Sequence, residues 1–184
     1  MSIIDLYDLF IHNPQITTDS RNCPKGSIFF ALKGDKFDGN QYAGKALASG
    51  CVYAVIDNPD YYIGERTILV DNVLKTLQQL AHHHRKVLGL PIIGITGTNG
   101  KTTTKELVGR VLSRKFRTAV TQGNLNNHIG VPLTLLAMTR DTEFGVVEMG
   151  ASACGELALL ASVAEPNYGI LTNIGRAHLE GFGG

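Results

Sequence analysis

Seven consecutive residues, Gly97-Thr98-Asn99-Gly100-Lys101-Thr102-Thr103, combine two glycines, a lysine and three hydroxyls at a spacing suited to holding phosphate. Glycines let backbone N–H groups converge on an anion, the lysine reaches outer phosphate oxygens, and the threonine after it is placed to ligate magnesium. The preceding run Ile92-Ile93-Gly94-Ile95-Thr96 reads as a strand, and a helical pattern follows the loop. The common pattern G-x-x-x-x-G-K-[ST] asks for a glycine where this chain has Ile95. A tight turn would use the same glycines, but the Gly-Lys-Thr ending, the strand and the helix agree on a nucleotide.

A second group of residues is suited to the cation that accompanies phosphate. Phe144-Gly145-Val146-Val147-Glu148 is an apolar strand ending in a carboxylate. In an open α/β sheet the carboxyl ends of the strands face the ligand crevice. Magnesium takes oxygen ligands and keeps several waters, so Thr102 and Glu148 are a reasonable partial set. The competing reading is an exposed strand-end glutamate. Gln122 to Gly130 is rich in amides, and its Asn126 and Asn127 suit a turn or a polar ligand equally well. His178 follows another strand, Tyr168 to Leu171, and belongs near the same crevice.

These side chains need a frame. Residues 3–11 read as a helix, Ser27 to Leu32 as a buried strand, Val52 to Ile56 and Thr67 to Val70 as further strands. A helix over Ala43 to Leu47 has Asn40 as its expected cap. Asp19-Ser20-Arg21 and the polar loop Lys33 to Asn40, with Asp38 and Gly39, flank the Ser27–Leu32 strand and suit a ligand edge; alternatively, Asp19-Ser20 caps a turn and Arg21 pairs with a surface acid. Asp71 to Leu88 is a linking helix, and Gly89-Leu90-Pro91 marks the boundary between units 1–88 and 89–184. Its run His82-His83-His84 cannot share one ion, because consecutive helical side chains fan out. After the loop, Leu107, Val108, Val111, Leu112 and Phe116 are expected to face the sheet, with Lys105, Arg110 and Arg114 outside. The expected fold class is α/β: a small N-terminal unit, then a P-loop-type unit with a mostly parallel sheet.

The totals exclude several functions. With 184 residues and 43% hydrophobic side chains, the chain can bury a core as one domain or two small ones. Lys+Arg 17 against Asp+Glu 16 leaves a net charge of +1, which gives no general attraction to nucleic acid. Cys23, Cys51 and Cys154 are too widely spaced for a zinc site and read as reduced thiols. No apolar run is long enough to span a bilayer, and the N-terminus is not a signal peptide, so a cytoplasmic location is expected.

Taken in order, these motifs resemble the Mur ligases, ATP-dependent amide-forming enzymes of peptidoglycan assembly. Gly97 to Thr103 is similar to the family's shortened phosphate loop, which accounts for Ile95. Val147-Glu148-Met149-Gly150 and Thr172-Asn173-Ile174-Gly175-x-Ala177-His178-Leu179-Glu180 resemble its next two signatures. Thr18-Asp19-Ser20-Arg21 and Phe30-Ala31-Leu32-x-Gly34-x-x-x-Asp38-Gly39 are similar to its uridine-nucleotide domain. The stretch Gly123-Asn124-Leu125-Asn126-Asn127-x-Ile129-Gly130-Val131-Pro132-Leu133 resembles the branch that joins D-alanyl-D-alanine to UDP-N-acetylmuramoyl-tripeptide, more than a branch adding a diamino acid or a folate polyglutamate ligase.

The resemblance implies ATP and Mg2+ as cofactors, and those two molecules as substrates. It implies Gly97, Thr98, Asn99, Gly100, Lys101, Thr102 and Thr103 around the nucleotide, with Lys101 and His178 catalytic. Thr102, Glu148 and His178 would serve the metals. Ser20, Arg21, Lys33, Asp38 and Gly39 would hold the uridine diphosphate end, and Asn126 and Asn127 the muramyl-peptide. It also implies further sequence after the histidine motif, so the chain is expected to be an inactive N-terminal piece that binds UDP-sugar or nucleotide weakly, with exposed apolar surface where later helices would pack.

Overall fold

In a computed structural model of the protein, which describes residues 1–175, the chain divides into two compact units, Met1–Leu80 and Ala81 onward. The first contains α1 (Ile3–His12), β1 (Ile16–Thr17), β2 (Ile28–Phe30), the short strands β3 (Lys33–Gly34) and β4 (Phe37–Asp38), α2 (Ala43–Ala48), β5 (Tyr53–Ile56) and β6 (Thr67–Leu69). Ser2 and Asp5 start α1 with a reciprocal capping box, and the helix buries Leu6 and Phe10. The main sheet has the order β1-β2-β5-β6 and is parallel throughout. All three residues of β2 are buried, as expected for a parallel strand covered on both faces. β3 and β4 form a separate antiparallel hairpin.

Asn40 is not the helix cap expected from its position. Asp38 caps the 3₁₀ turn Gly39–Tyr42 by accepting from Asn40 N, and that turn leads into α2. The Asn40 side chain is fully buried instead and bonds to Asp38 and Asp57. A buried amide needs all its partners, and the neighbouring carboxylates supply better ones than a helix end.

The boundary between the units falls within α3 (Val73–Leu88). Asn72 Oδ1 accepts from Lys75 N and Asp57 Oδ2 from Val73 N, so both side chains hold its first turn. Its last turns belong to the second unit. His82 and His84 donate to the carbonyls of Val163 (3.2 Å) and Met138 (2.8 Å), and Arg85 Nε donates to that of Ala164 (2.9 Å).

The second unit continues with β7 (Ile92–Thr96), α4 (Lys101–Leu112), β8 (Thr118–Val120), α5 (Gly130–Leu136), β9 (Phe144–Glu148), α6 (Glu156–Ala164) and β10 (Tyr168–Leu171). Its sheet is parallel with the order β10-β7-β9-β8. Ile95 lies opposite Glu148, and Thr96 opposite Leu171. This register brings the phosphate loop, Glu148 and the segment after β10 to one edge, at the point where the strand order reverses.

α4 presents a different face to that sheet than its apolar residues suggest. Lys105 is 1% exposed, while Leu107 and Val111 are 60% and 71% exposed. The reason is close approach: a Cβ on Gly109 would sit 2.7 Å from Val120 Cγ2, so the helix meets β8 along its Lys105–Gly109 seam. Lys105 and Gly109 lie one turn apart on one stripe, and the tertiary contact rather than the apolar pattern selects that stripe. At the other edge, Tyr168 and Leu171 of β10 are 60% and 57% exposed.

Candidate nucleotide site

Gly97 has φ +132, and a Cβ there would fall 3.0 Å from the backbone N and O of Asn173 and closer still to Thr172 Oγ1. The loop therefore has to begin with glycine. What presses on it is the stretch after β10. Thr98 N donates to Asn173 O (3.1 Å) and Asn99 N to Asn173 Oδ1 (2.9 Å). Thr172 Oγ1 donates to Asn99 O (2.6 Å), and Gly175 N donates to Thr98 Oγ1 (2.9 Å). Two loop amides are thus committed to shaping the loop. Those of the first α4 turn have no intrahelical acceptor, and no side chain caps the helix at Gly100, so they are the ones available to an anion. Lys101 Nζ folds back onto the carbonyls of Gly97 (2.7 Å) and Thr98 (3.2 Å).

Glu148 is 2% exposed. Its Oε1 accepts from Asn126 Nδ2 at 2.8 Å and from Thr102 Oγ1 at 3.3 Å. Its backbone N–H donates to Thr121 Oγ1 at 2.9 Å, itself a buried group. Oε2 has no hydrogen bond and faces Lys105 Nζ at 3.9 Å. The structure thus brings Thr102, Asn126 and Glu148 together. Asn127 has a different duty at present: its Oδ1 accepts from Ile129 N (3.1 Å) and Gly130 N (2.8 Å) and starts α5. A cleft of about 440 Å³ runs from Lys101 past Asn126 and His128 to Gly150, Ser152 and Glu156. The amides of Ser152 and Ala153 hold the Glu156 carboxyl below the usual carboxylate range.

In the first unit Arg21 forms a fork with Asp19, with Nε and Nη2 at 2.9 and 2.8 Å from its two oxygens. Arg21 holds the exposed Asp19 carboxyl down to about 2. Ser20 sits in the same turn, its carbonyl accepting from the Cys23 thiol at 3.5 Å. Lys33 pairs with the half-buried Asp57 at 2.8 Å. Burial pushes the Asp57 carboxyl up, but Lys33, Asn40 and the Val73 N–H outweigh it and leave the group low. Asp38 bonds Asn40, and Gly39 lies so close to the backbone of Ala31 and Leu32 that no Cβ fits. Lys33, Asp38 and Gly39 are thus gathered around Asn40 and Asp57. His178 lies outside the described residues.

Two family models match this sequence: the Mur ligase middle domain over residues 95–184, and the Mur ligase family catalytic domain over residues 12–85. The chain belongs to the Mur ligase family. The UDP-N-acetylmuramoyl-tripeptide–D-alanyl-D-alanine ligase of Bacillus subtilis is 44% identical over 170 residues, covering 91% of this chain. The Escherichia coli ligase of that name is 38% identical over 168 residues. The chain spans 37% of the length of each. Among solved structures, MurF from Acinetobacter baumannii matches with TM-score 0.86 and 39% identity, covering 92% of this chain and 38% of that one. MurF from Thermotoga maritima in complex with ADP matches with TM-score 0.84 and 34% identity, covering 94% and 40%.

Mur ligase membership gives the orphaned oxygen of Glu148 a meaning. A buried carboxylate oxygen without a hydrogen bond is a rare and costly arrangement, and a divalent cation would satisfy it. Thr102 and Glu148 supply two oxygens of the hard type that magnesium takes, leaving the remaining positions to water and phosphate. The residues present therefore fit the metal. Sequence reasoning passed over Thr121 and Asp57 and placed Lys105, which is buried, on the outer face of its helix. A hydroxyl and an aspartate outside the motifs, and a lysine on a helix whose apolar pattern points elsewhere, carry no local signal; only strand register and helix approach bring them to these sites.

Proposed function

We propose that this chain supplies the nucleotide- and UDP-substrate-binding parts of an ATP-dependent ligase joining D-alanyl-D-alanine to UDP-N-acetylmuramoyl-tripeptide. In that reaction the tripeptide carboxylate takes the γ-phosphoryl group of ATP, releasing ADP. The dipeptide amine then displaces phosphate from the acyl phosphate, giving the amide. Such transfers depend on positioning and charge neutralisation more than on covalent chemistry from the protein.

The arrangement carrying this reading is the meeting of loop, Thr102 and Glu148 at one sheet edge. First-turn amides of α4 would receive phosphate oxygens, and Lys101 would exchange two loop carbonyls for the outer phosphates. Thr102 and Glu148 would hold the magnesium, which when bound offsets phosphate charge. Asn126 would keep Glu148 aimed while the adjoining cleft takes the peptide end of the substrate. In the first unit, Ser20, Arg21, Lys33, Asp38 and Gly39 would bind the uridine diphosphate. The similarity to a Thermotoga maritima MurF solved in complex with ADP, and to the D-alanyl-D-alanine ligases of Bacillus subtilis and Escherichia coli, supports the same reading.

Calorimetric titration with ADP and magnesium tests it. The wild-type chain should bind, and Lys101→Ala should weaken binding about 10- to 100-fold, the worth of a charge-assisted contact of about 1.5–3 kcal/mol. Equal affinity in both proteins would refute the loop assignment. UDP-N-acetylmuramoyl-tripeptide at about 100 times its dissociation constant should add roughly 2.7 kcal/mol of stability.

A further inference from the structure

Lys105 is a lysine where the fold has no need of one. It occupies the buried seam of α4 with 1% exposure, a position that methionine or leucine would fill without desolvating a charge. Its ammonium lies 3.9 Å from Glu148 Oε2 and 3.2 Å from Glu106 Oε1. Glu106 is an unequal partner, with a side chain 53% exposed. Among the described residues Lys105 is the one ion-pair partner of Glu148. Lys101, the other cation of the loop region, is turned toward the carbonyls of Gly97 and Thr98. The 3.9 Å separation leaves Oε2 without a hydrogen bond: the ammonium balances the carboxylate without tying up the oxygen.

We propose that Lys105 is a positioning residue for the metal carboxylate. Its buried ammonium, 3.9 Å from Oε2, keeps the Glu148 carboxylate aimed before any cation arrives. The same charge repels a second cation, so Glu148 holds a divalent ion weakly until nucleotide phosphates add ligands and negative charge. Metal binding is thereby made conditional on nucleotide binding. This inference rests on the nucleotide reading above and adds a determinant of the order in which the ligands bind.

The test uses the 184-residue protein and Mn2+ in place of magnesium, with free Mn2+ read by electron paramagnetic resonance and thermal unfolding followed in parallel. Lys105→Met keeps the stem and removes the charge. Without nucleotide it should bind Mn2+ about tenfold more tightly than wild type, as expected for removing a unit charge a few ångströms from a dication. Mn2+ should also raise its melting temperature more than that of wild type. Lys105→Arg keeps the charge and should retain the weak binding of wild type. A K105M protein that binds Mn2+ no better than wild type overturns the inference. So does a K105R protein that binds it tightly, and this second variant decides the matter if K105M folds too poorly to titrate. Titrating wild type with ADP and Mn2+ together separates the two levels. No binding there sinks the nucleotide reading and this inference with it, whereas normal binding beside an unaltered K105M sinks the inference alone.

Discussion

Replacing Asn40 with alanine should unfold the first unit at markedly lower urea. The buried amide Nδ2 donates to Asp38 Oδ1 at 2.6 Å and to Asp57 Oδ1 at 2.9 Å, and its Oδ1 accepts from Asp57 N at 2.9 Å and Asn58 N at 3.3 Å. The backbone bond from Asn40 N to Asp38 Oδ1 survives the substitution. Two of the lost bonds reach carboxylates and two reach neutral amides. At about 1.5–3 and about 1 kcal/mol each, their sum is roughly 5–8 kcal/mol. Water reaching the half-buried Asp38, and the remaining Lys33 partner of Asp57, offset part of it, leaving about 3 kcal/mol. Tyrosine fluorescence reads the transition selectively, because Tyr7, Tyr42, Tyr53, Tyr61 and Tyr62 lie in the first unit and only Tyr168 in the second; the chain has no tryptophan. With a slope of about 1.5 kcal/mol/M, the urea midpoint should fall by about 2 M. A fall below about 0.5 M would refute the idea that Asn40 knots the hairpin end to Asp57.

Other expectations follow from the same geometry. Gly97→Ala places a methyl against Thr172 and Asn173 at φ +132; strain of about 2 kcal/mol should lower ADP affinity tenfold or more while leaving the far-ultraviolet circular dichroism unchanged. His84 is held below its ordinary 6.5, first by burial, even though its bond to the Met138 carbonyl acts in the opposite sense. Its folded value is depressed, so its contribution is complete above about 6.5 and is lost as pH falls through the folded value. The wild-type melting temperature should therefore drop between pH 7 and pH 5 more than that of His84→Gln, and parallel curves would contradict this. Arg21→Ala should let the Asp19 carboxyl return from about 2 toward 3.8, read by carboxylate chemical shifts; because the pair is exposed, little change in stability should accompany it.

Much of this arrangement is legible in the sequence because its signals are local. A β-branched run before glycines and a Gly-Lys-Thr ending specify strand, loop and helix within a few residues, and Ile92–Thr96 and Lys101–Leu112 lie where those signals put them. Glu148 likewise ends its strand, buried and facing the loop. What the sequence hides is set by approach between distant segments. The pattern of α4 offers Leu107 and Val111 as core, yet Gly109 lets a different stripe reach Val120 and carries Lys105 inside. Asn40 looks like a cap because asparagine before a helical pattern usually is one; the carboxylate of Asp57, brought beside it by β5, outbids the helix end. Asn127 shows the reverse, a residue in a ligand-like motif whose oxygen starts a helix.

The clamp on the phosphate loop also bears on the order of synthesis. Thr98 and Asn99 leave the ribosome well before Asn173 and Gly175, which stand 74 to 77 positions later in the bonded pairs. Chains fold from the N-terminus as they emerge, so the Asn40 knot, contained within residues 38–58, can close early. The loop cannot take its shape until β10 has added to the sheet and Asn173 has reached the amides of Thr98 and Asn99. Nucleotide is therefore a poor template for the nascent chain. It meets a finished binding loop only after β10 has docked, and a ribosome-stalled chain ending before Thr172 should fail to retain ADP although every residue from Gly97 to Thr103 is already in solution.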